Sequence, residues 1–138
     1  MEQKPPVPAA AVTTLPVRDV LVIEDDPVVS RLVGHLLTRR GFIVHVASDG
    51  LHAQTLLKTL PRPAVVVMDV MLPYVSGFEL INEIRQTPGW DRVPVIVLTS
   101  KSQERDVLRA FDAGVNDYVV KPFRPDEFVA RVRRLADS

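Results

Sequence analysis

Side chains that could hold a cation or a phosphoryl group follow four of the short apolar runs in this sequence. They are Glu24, Asp25 and Asp26 after VLVI, Asp69 after VVVM, Thr99 and Ser100 after VIVL, and Lys121 after YVV. An isolated aspartate at such a point is most often a turn residue or a helix cap. Four runs that each end in a charged or hydroxyl side chain instead favour a functional site.

Phosphoryl transfer is the chemistry that this set of side chains fits best. Carboxylates crowded together repel one another, so Glu24, Asp25 and Asp69 would need positive charge nearby to stay ionised. Lys121 supplies one such charge, and Mg²⁺, which prefers oxygen ligands, would supply the rest. Asp69 could then act as a nucleophile towards phosphorus, with the Thr99 hydroxyl donating to a phosphoryl oxygen. Taken singly, each residue could still cap a helix, end a strand or lie at the surface.

Apolar runs alternate with helical patterns from Asp19 onward. The predicted strands are VLVI, FIVHVA, AVVVM, PVIVL and DYVV. Helices are predicted from Pro27 to about Gly41, near 49–59, after Gly77, over roughly 102–113 and from Pro125. In the first helix the spacing places one apolar stripe at Val28, Val29, Leu32, Val33, Leu36 and Leu37, behind a cap at Asp26. This alternation, with strands that are apolar throughout, predicts a doubly wound α/β domain: a parallel sheet with helices on both faces.

The predicted sheet explains why the chemically capable residues follow strands. Ligand sites in such sheets lie outside the carboxyl ends of the strands, and parallel strands end at the same edge. We therefore expect the residues after four strands to meet at one rim. The second strand ends in the uncharged residues Ala47 and Ser48, which favours a place at the side of the sheet.

Composition excludes several classes of function. The 138 residues include no cysteine, which excludes disulfides, thiolate catalysis and zinc–sulfur sites. Seventeen basic and seventeen acidic residues cancel, so net charge favours neither nucleic acid nor an anionic membrane as a partner. The chain has no apolar run near the ~20 residues of a membrane helix, no signal-peptide pattern and no glycine-rich nucleotide-binding motif. We expect a cytoplasmic protein that contacts neither nucleic acid nor membrane directly.

The N-terminal residues 1–18 differ in composition from the rest of the chain. They hold four of the twelve prolines and show no amphipathic period, which is typical of an extended tail. We therefore predict a flexible Pro/Ala-rich tail at 1–18 and one domain at 19–138.

From about Asp19 to its end, the sequence resembles the receiver domain of two-component response regulators. The motifs LVIEDD, MDVMLPYVSGFEL, VIVLTS and DYVVKPF match the family's acidic pair, phosphoacceptor segment, threonine strand and lysine–proline loop in order and spacing. The resemblance implies a flavodoxin-like, five-stranded sheet in the order 2-1-3-4-5. One departure is Ser76, where the family often has an acidic residue.

The resemblance also implies a role for each site residue. The roles are Asp69 as phosphoacceptor; Asp25, Asp69 and the backbone carbonyl of Met71 as Mg²⁺ ligands, with Glu24 acting through water; Thr99, Ser100 and Lys121 at the phosphate; and Tyr118 as an aromatic switch. A cis bond between Lys121 and Pro122 is implied as well, which an Xaa–Pro bond adopts at little cost. The side chains of Met71 and Lys101 would gate the water that removes the phosphate.

Such a switch would take its phosphoryl group from a sensor histidine kinase, a phosphotransfer protein or a small acyl phosphate. It would then alter the face formed by the fourth helix, fifth strand and last helix, which a downstream protein or effector domain would bind. Charged residues on that face resemble part of a set through which some receivers pair across a two-fold axis: Asp112, Asp117, Arg131 and Arg133. Exposed ion pairs contribute only ~0–1 kcal/mol each, so any homodimer is expected to be weak and promoted by phosphorylation.

Two other classes of function stay open. A Mg²⁺-dependent phosphatase of the haloacid-dehalogenase type would have a similar site, but such enzymes carry a second aspartate where this chain has Met71, which cannot move a proton. A receiver-like interaction module without phosphotransfer is the other alternative. The resemblance favours a switch that catalyses only its own phosphorylation and dephosphorylation rather than an enzyme.

Overall fold

The computed structural model describes residues 18–100 and 105–138, and its centre is a parallel β-sheet. The strands are β1 (Asp19–Ile23), β2 (Ile43–Ala47), β3 (Val65–Asp69), β4 (Val95–Ser100) and β5 (Asp117–Lys121). They are arranged in the order β2-β1-β3-β4-β5, and every neighbouring pair is parallel. The predicted sheet, its order and the outer position of the second strand are confirmed.

Five helices connect and cover the strands. They are α1 (Pro27–Thr38), α2 (Gly50–Thr59), α3 (Gly77–Gln86), α4 (Val107–Asp112) and α5 (Pro125–Ala136). Helices α1 and α5 pack on one face of the sheet, and α2, α3 and α4 pack on the other. Because β3 lies at the centre of the sheet and is covered on both faces, all five of its residues are buried, Asp69 included.

Helix α1 buries a narrower stripe than its sequence predicts. Val33 and Leu37 are fully buried, whereas Val28 is 72% exposed and Leu32 is 44% exposed. At about 100° per residue, the predicted stripe spans roughly half of the helix circumference, and only the half of it centred on Val33 and Leu37 faces the sheet. Val28 and Leu32 belong to the predicted apolar stripe but lie outside its buried half.

The connection from β3 to α3 is built from close backbone contacts. The Gly77 N–H donates to the Val70 carbonyl at 3.2 Å, and a Cβ atom at position 77 would lie 2.6 Å from that carbonyl oxygen. A glycine is therefore required there. Ser76, the departure from the family pattern, begins α3 with a capping box that includes Glu79, so its side chain has a structural role.

Some predictions concern residues that the structure does not describe. Residues 1–17 of the predicted tail, Lys101 and the predicted start of the fourth helix at Ser102 all lie outside the described residues. In the described part, residues 105 and 106 form a 3₁₀ turn and α4 begins at Val107. Within the described ranges, no helix is long and apolar enough to span a bilayer.

Candidate functional site

Lys121 joins two carboxylates at the carboxyl rim of the sheet. Its Nζ lies 2.7 Å from Oδ2 of Asp69 and 3.1 Å from Oε1 of Glu24. The three residues come from the ends of β3, β5 and β1, which are separated by up to 97 positions in sequence. This ion-paired cluster, here called the rim cluster, forms because the strands are parallel and end at one edge.

Burial gives the rim cluster unusual electrostatics. The Glu24 side chain is fully buried, and burial raises the pKa of Glu24 to about 7; the Asp26 N–H and the Lys121 ammonium oppose this rise, and the Asp69 charge adds to it. Burial alone would lower the pKa of Lys121, but its hydrogen bond to Asp69 and the charges of both carboxylates raise it. The lysine therefore stays charged, while Glu24 can change its protonation near neutral pH.

Asp25 completes a set of oxygen ligands suitable for a cation. Carboxylate oxygens of Glu24, Asp25 and Asp69 all lie within 4.8 Å of one another, and Asp25 is exposed while the other two are buried. Glu24 is already engaged with Lys121 and with the Asp26 N–H at 3.1 Å. Three carboxylates with one lysine leave a surplus of negative charge, and an all-oxygen donor set suits Mg²⁺.

Asp69 is held in place by its own loop as well as by Lys121. The Met71 N–H donates to Oδ1 of Asp69 at 2.9 Å, which leaves Oδ2 for the lysine. Met71 itself is 59% exposed. The Lys121–Pro122 peptide bond is cis in the structure.

Thr99 and Tyr118, on the neighbouring strands β4 and β5, both line a narrow cavity behind the rim. Thr99 is buried and Tyr118 is partly buried. This cavity has a volume of about 10 Å³ and is also lined by residues of α4, namely Val107, Ala110 and Phe111. Ser100 and Lys121 are paired in register at the ends of β4 and β5, so the structure brings all of the predicted phosphate-binding residues to the same end of the sheet.

The residues predicted for a dimer face include a buried acid that the sequence did not distinguish. Asp117 is 7% exposed and accepts hydrogen bonds from Arg131 at 3.1 Å and from Arg134 at 3.2 Å in its own chain. Arg131 also pairs with Glu127 at 3.2 Å. Asp112 and Arg133 are exposed. The arginine spacing along α5 was the only sequence signal for this internal ion-pair cluster.

Known proteins with similar sequences belong to one family, the response regulators. Residues 20–133 match the family model described as the response regulator receiver domain. The DNA-binding dual master transcriptional regulator RpaA of Synechocystis sp. is 40% identical over 116 residues, which cover 84% of this chain and 48% of that protein. Transcriptional regulatory protein KdpE of Mycobacterium tuberculosis is 44% identical over 114 residues, with 83% and 49% covered. The chain spans about half the length of the curated relatives that it matches.

Solved structures share the fold. The receiver domain of sensor histidine kinase PA1611 from Pseudomonas aeruginosa PAO1, which has a magnesium ion coordinated in its active site cleft, is 31% identical with a TM-score of 0.80, covering 88% of this chain and 99% of that one. Chemotaxis response regulator CheY4 of Vibrio cholerae is 26% identical with a TM-score of 0.80, covering 86% and 98%. The family-model match, the curated relatives and the shared fold agree, and the chain belongs to the response regulator receiver domain family of two-component signalling.

Proposed function

We propose that this chain is a phosphorylation-activated switch in the cytoplasm and that Asp69 is its phosphoacceptor. The observation that carries the proposal is the rim cluster, in which a buried carboxylate at the end of the central strand is bound by a lysine at 2.7 Å. A buried ion pair adds little net stability, because the cost of removing two charges from water offsets their attraction, so a structural role alone gives little reason to place Asp69 among the apolar residues of β3.

All the protein groups that the proposed reaction uses lie at the rim. An oxygen of the Asp69 carboxylate attacks phosphorus in line, forming a P–O bond as the bond from phosphorus to the donor breaks. The electron pair of that bond leaves with the donor, which is a histidine imidazole in a kinase or phosphotransfer protein, or acetate in acetyl phosphate. Lys121 neutralises charge on the phosphoryl oxygens, and Thr99 and Ser100 supply hydroxyl donors to them.

Mg²⁺ is the proposed cofactor. Asp25, Asp69 and the Met71 carbonyl would hold the ion, with Glu24 acting through water; the acidic set at the rim supports this, as does the magnesium in the related receiver. When bound, the ion would neutralise negative charge on the incoming phosphoryl group. In its absence Lys121 carries that task alone, and the surplus of carboxylates opposes the approach of an anion.

The proposed output passes through α4, β5 and α5. A phosphoryl group on Asp69 would draw the Thr99 hydroxyl towards it, and the Tyr118 ring would turn towards the space that Thr99 leaves. The altered face would bind a downstream protein, or an effector domain such as the DNA-binding regions that the names of some relatives indicate. A weak, phosphorylation-promoted homodimer through Asp112, Asp117, Arg131 and Arg133 is a further part of the proposal.

Labelling with acetyl phosphate tests the phosphoacceptor assignment. Asp69→Asn keeps the shape of the side chain but removes the nucleophile, so labelling in Mg²⁺ should be lost. Asp91→Asn, which removes an exposed carboxylate in the loop before β4 and so away from the rim, is the matched control and should label like the parent. Beryllofluoride should likewise bind the parent only with Mg²⁺ present and should require Asp25 and Lys121. Equal labelling of Asp69→Asn and parent would show that the assignment is wrong.

A further inference from the structure

Helix α4 is held less firmly than the other helices. It has only six residues, and its N-cap residue, Asp106, makes no side-chain capping bond. Ala110 is its one buried residue, while Leu108 is 77% exposed and Phe111 is 40% exposed. A short helix with so little buried apolar surface has little intrinsic stability of its own, so individual contacts to its neighbours decide where it lies.

One such contact joins α4 to α3. The guanidinium carbon of Arg109 lies 3.9 Å above the centre of the Phe78 ring, which is within the distance for a cation–π interaction. The Phe78 ring is held in place because it packs against the hydrophobic core that α2, α3 and α4 cover. The Arg109–Phe78 contact therefore attaches a loosely held helix to a firmly held one, close to the β3–α3 loop that follows Asp69.

The cavity that Thr99 and Tyr118 line is too small to hold the Tyr118 ring while α4 stays in this position. Its volume of about 10 Å³ is about what one water molecule needs, and a phenol ring is several times larger. The wall opposite β4 is formed by α4 residues, including Val107, Ala110 and Phe111. The Tyr118 ring already makes an edge-to-face contact with Phe111 of α4, with 6.1 Å between ring centres. If the ring turns towards Thr99, the cavity must widen beyond its present volume, so α4 moves outward and Arg109 moves with it.

We propose that the Arg109–Phe78 contact is a latch that holds α4 in the resting position and sets how readily phosphorylation displaces it. The proposal rests on the function proposed above. A contact present only in the resting arrangement stabilises that arrangement. A ligand that requires the displaced arrangement must break the contact, so its binding free energy is weakened by the free energy of the contact. Removal of the latch should therefore make the chain easier to activate, although it removes a stabilising contact.

Beryllofluoride binding in Mg²⁺, followed by the ¹⁹F NMR signal of the bound species, tests the latch on the purified chain. Arg109→Gln and Phe78→Leu should each lower the half-saturating beryllium concentration by about two- to fivefold, the range expected for an exposed cation–π contact. The double variant should bind no more tightly than the tighter single variant, because the two residues share one interaction. Arg105→Gln is the control, since it removes an exposed positive charge just before α4 without touching the Phe78 ring.

The outcomes separate the latch from its alternatives. Parent-like affinity in both single variants, with urea midpoints showing that they are folded, would overturn the latch. So would an equal gain in Arg105→Gln, because it would trace the effect to net charge. Additive gains in the double variant would show that the two residues act separately and would also overturn it. If the parent itself fails to bind beryllofluoride, the proposed function fails first and the latch fails with it.

Discussion

Removal of Lys121 should destabilise the metal-free protein by an amount that depends on pH. Lys121→Met keeps most of the apolar stem but leaves two carboxylates without their counter-charge, and the side-chain exposures of Glu24 and Asp69 are only 0% and 9%. Breaking a buried ion pair by removing one partner costs about 3–5 kcal/mol. Because the Lys121 side chain is itself 25% exposed, water can partly replace it, and we expect about 2–4 kcal/mol.

Urea unfolding in EDTA at about pH 8 and about pH 5.5 measures this effect. With a urea m-value of about 2 kcal/mol/M, in the middle of the usual range, the expected loss lowers the midpoint by about 1–2 M at the higher pH. At the lower pH Glu24 is mostly protonated in the folded parent, given its pKa of about 7, so the lysine balances one carboxylate instead of two and the deficit should shrink. Added Mg²⁺ should restore part of the lost stability at the higher pH.

Lys58→Met is the matched control, because Lys58 is exposed in the last turn of α2, which leads to the start of β3 rather than to the rim at its carboxyl end. Its midpoint should stay close to that of the parent at both pH values. If Lys121→Met matched Lys58→Met, or if its deficit were equal at the two pH values, the electrostatic account of the rim cluster would be refuted.

Four further predictions address the site and its surroundings. In EDTA, Glu24→Gln should become more stable relative to the parent as pH rises from about 5.5 to 8. Burial raises the folded-state pKa of Glu24 from 4.5 to about 7, so the parent loses stability as pH rises towards the folded-state value. A difference in urea unfolding that stays constant over this pH range would contradict the prediction. Tyr74 has a φ of 72°, which is unfavourable for a side chain, so Tyr74→Gly should stabilise the protein by about 0.5–1 kcal/mol in thermal unfolding; a loss of stability would count against strain there. Met71→Asn should shorten the half-life of the phosphoprotein, since a carboxamide can orient an attacking water and a thioether cannot; an unchanged or longer half-life would exclude this role. Beryllofluoride should promote weak dimers of the parent in sedimentation but not of Arg131→Glu. Arg131 also pairs with Asp117 within the chain. A parent that stays monomeric with and without beryllofluoride would leave this face to a different partner.

The positions of the site residues could be predicted because parallel strands impose them. Once VVVM and VLVI are recognised as neighbouring strands, Asp69 and the acidic pair must end at the same rim, and no side-chain detail is needed. The sequence does not show which acid of a pair is buried. Glu24 turns into the core and Asp25 turns to solvent, because consecutive residues at a strand end point in opposite directions.

Features that depend on the packing of one helix against another were not predictable. The apolar residues of α1 span a wider arc than the sheet covers, and only the packed structure shows that Val28 and Leu32 lie outside the covered part. The ion pairs of Asp117 with Arg131 and Arg134 join β5 to α5, and the Arg109–Phe78 contact joins α4 to α3. Each depends on the distance between two elements, which periodicity within either element does not determine.

The central claim is that Asp69 forms an acyl phosphate, and borohydride trapping tests it most directly. Borohydride reduces an aspartyl phosphate to homoserine, which tandem mass spectrometry locates in the sequence. After treatment of the parent chain with acetyl phosphate and Mg²⁺, homoserine should appear at position 69 and nowhere else, and it should disappear when Mg²⁺ is replaced by EDTA. Homoserine at position 25 instead, or none at position 69 in a folded chain with Mg²⁺ present, would contradict the account.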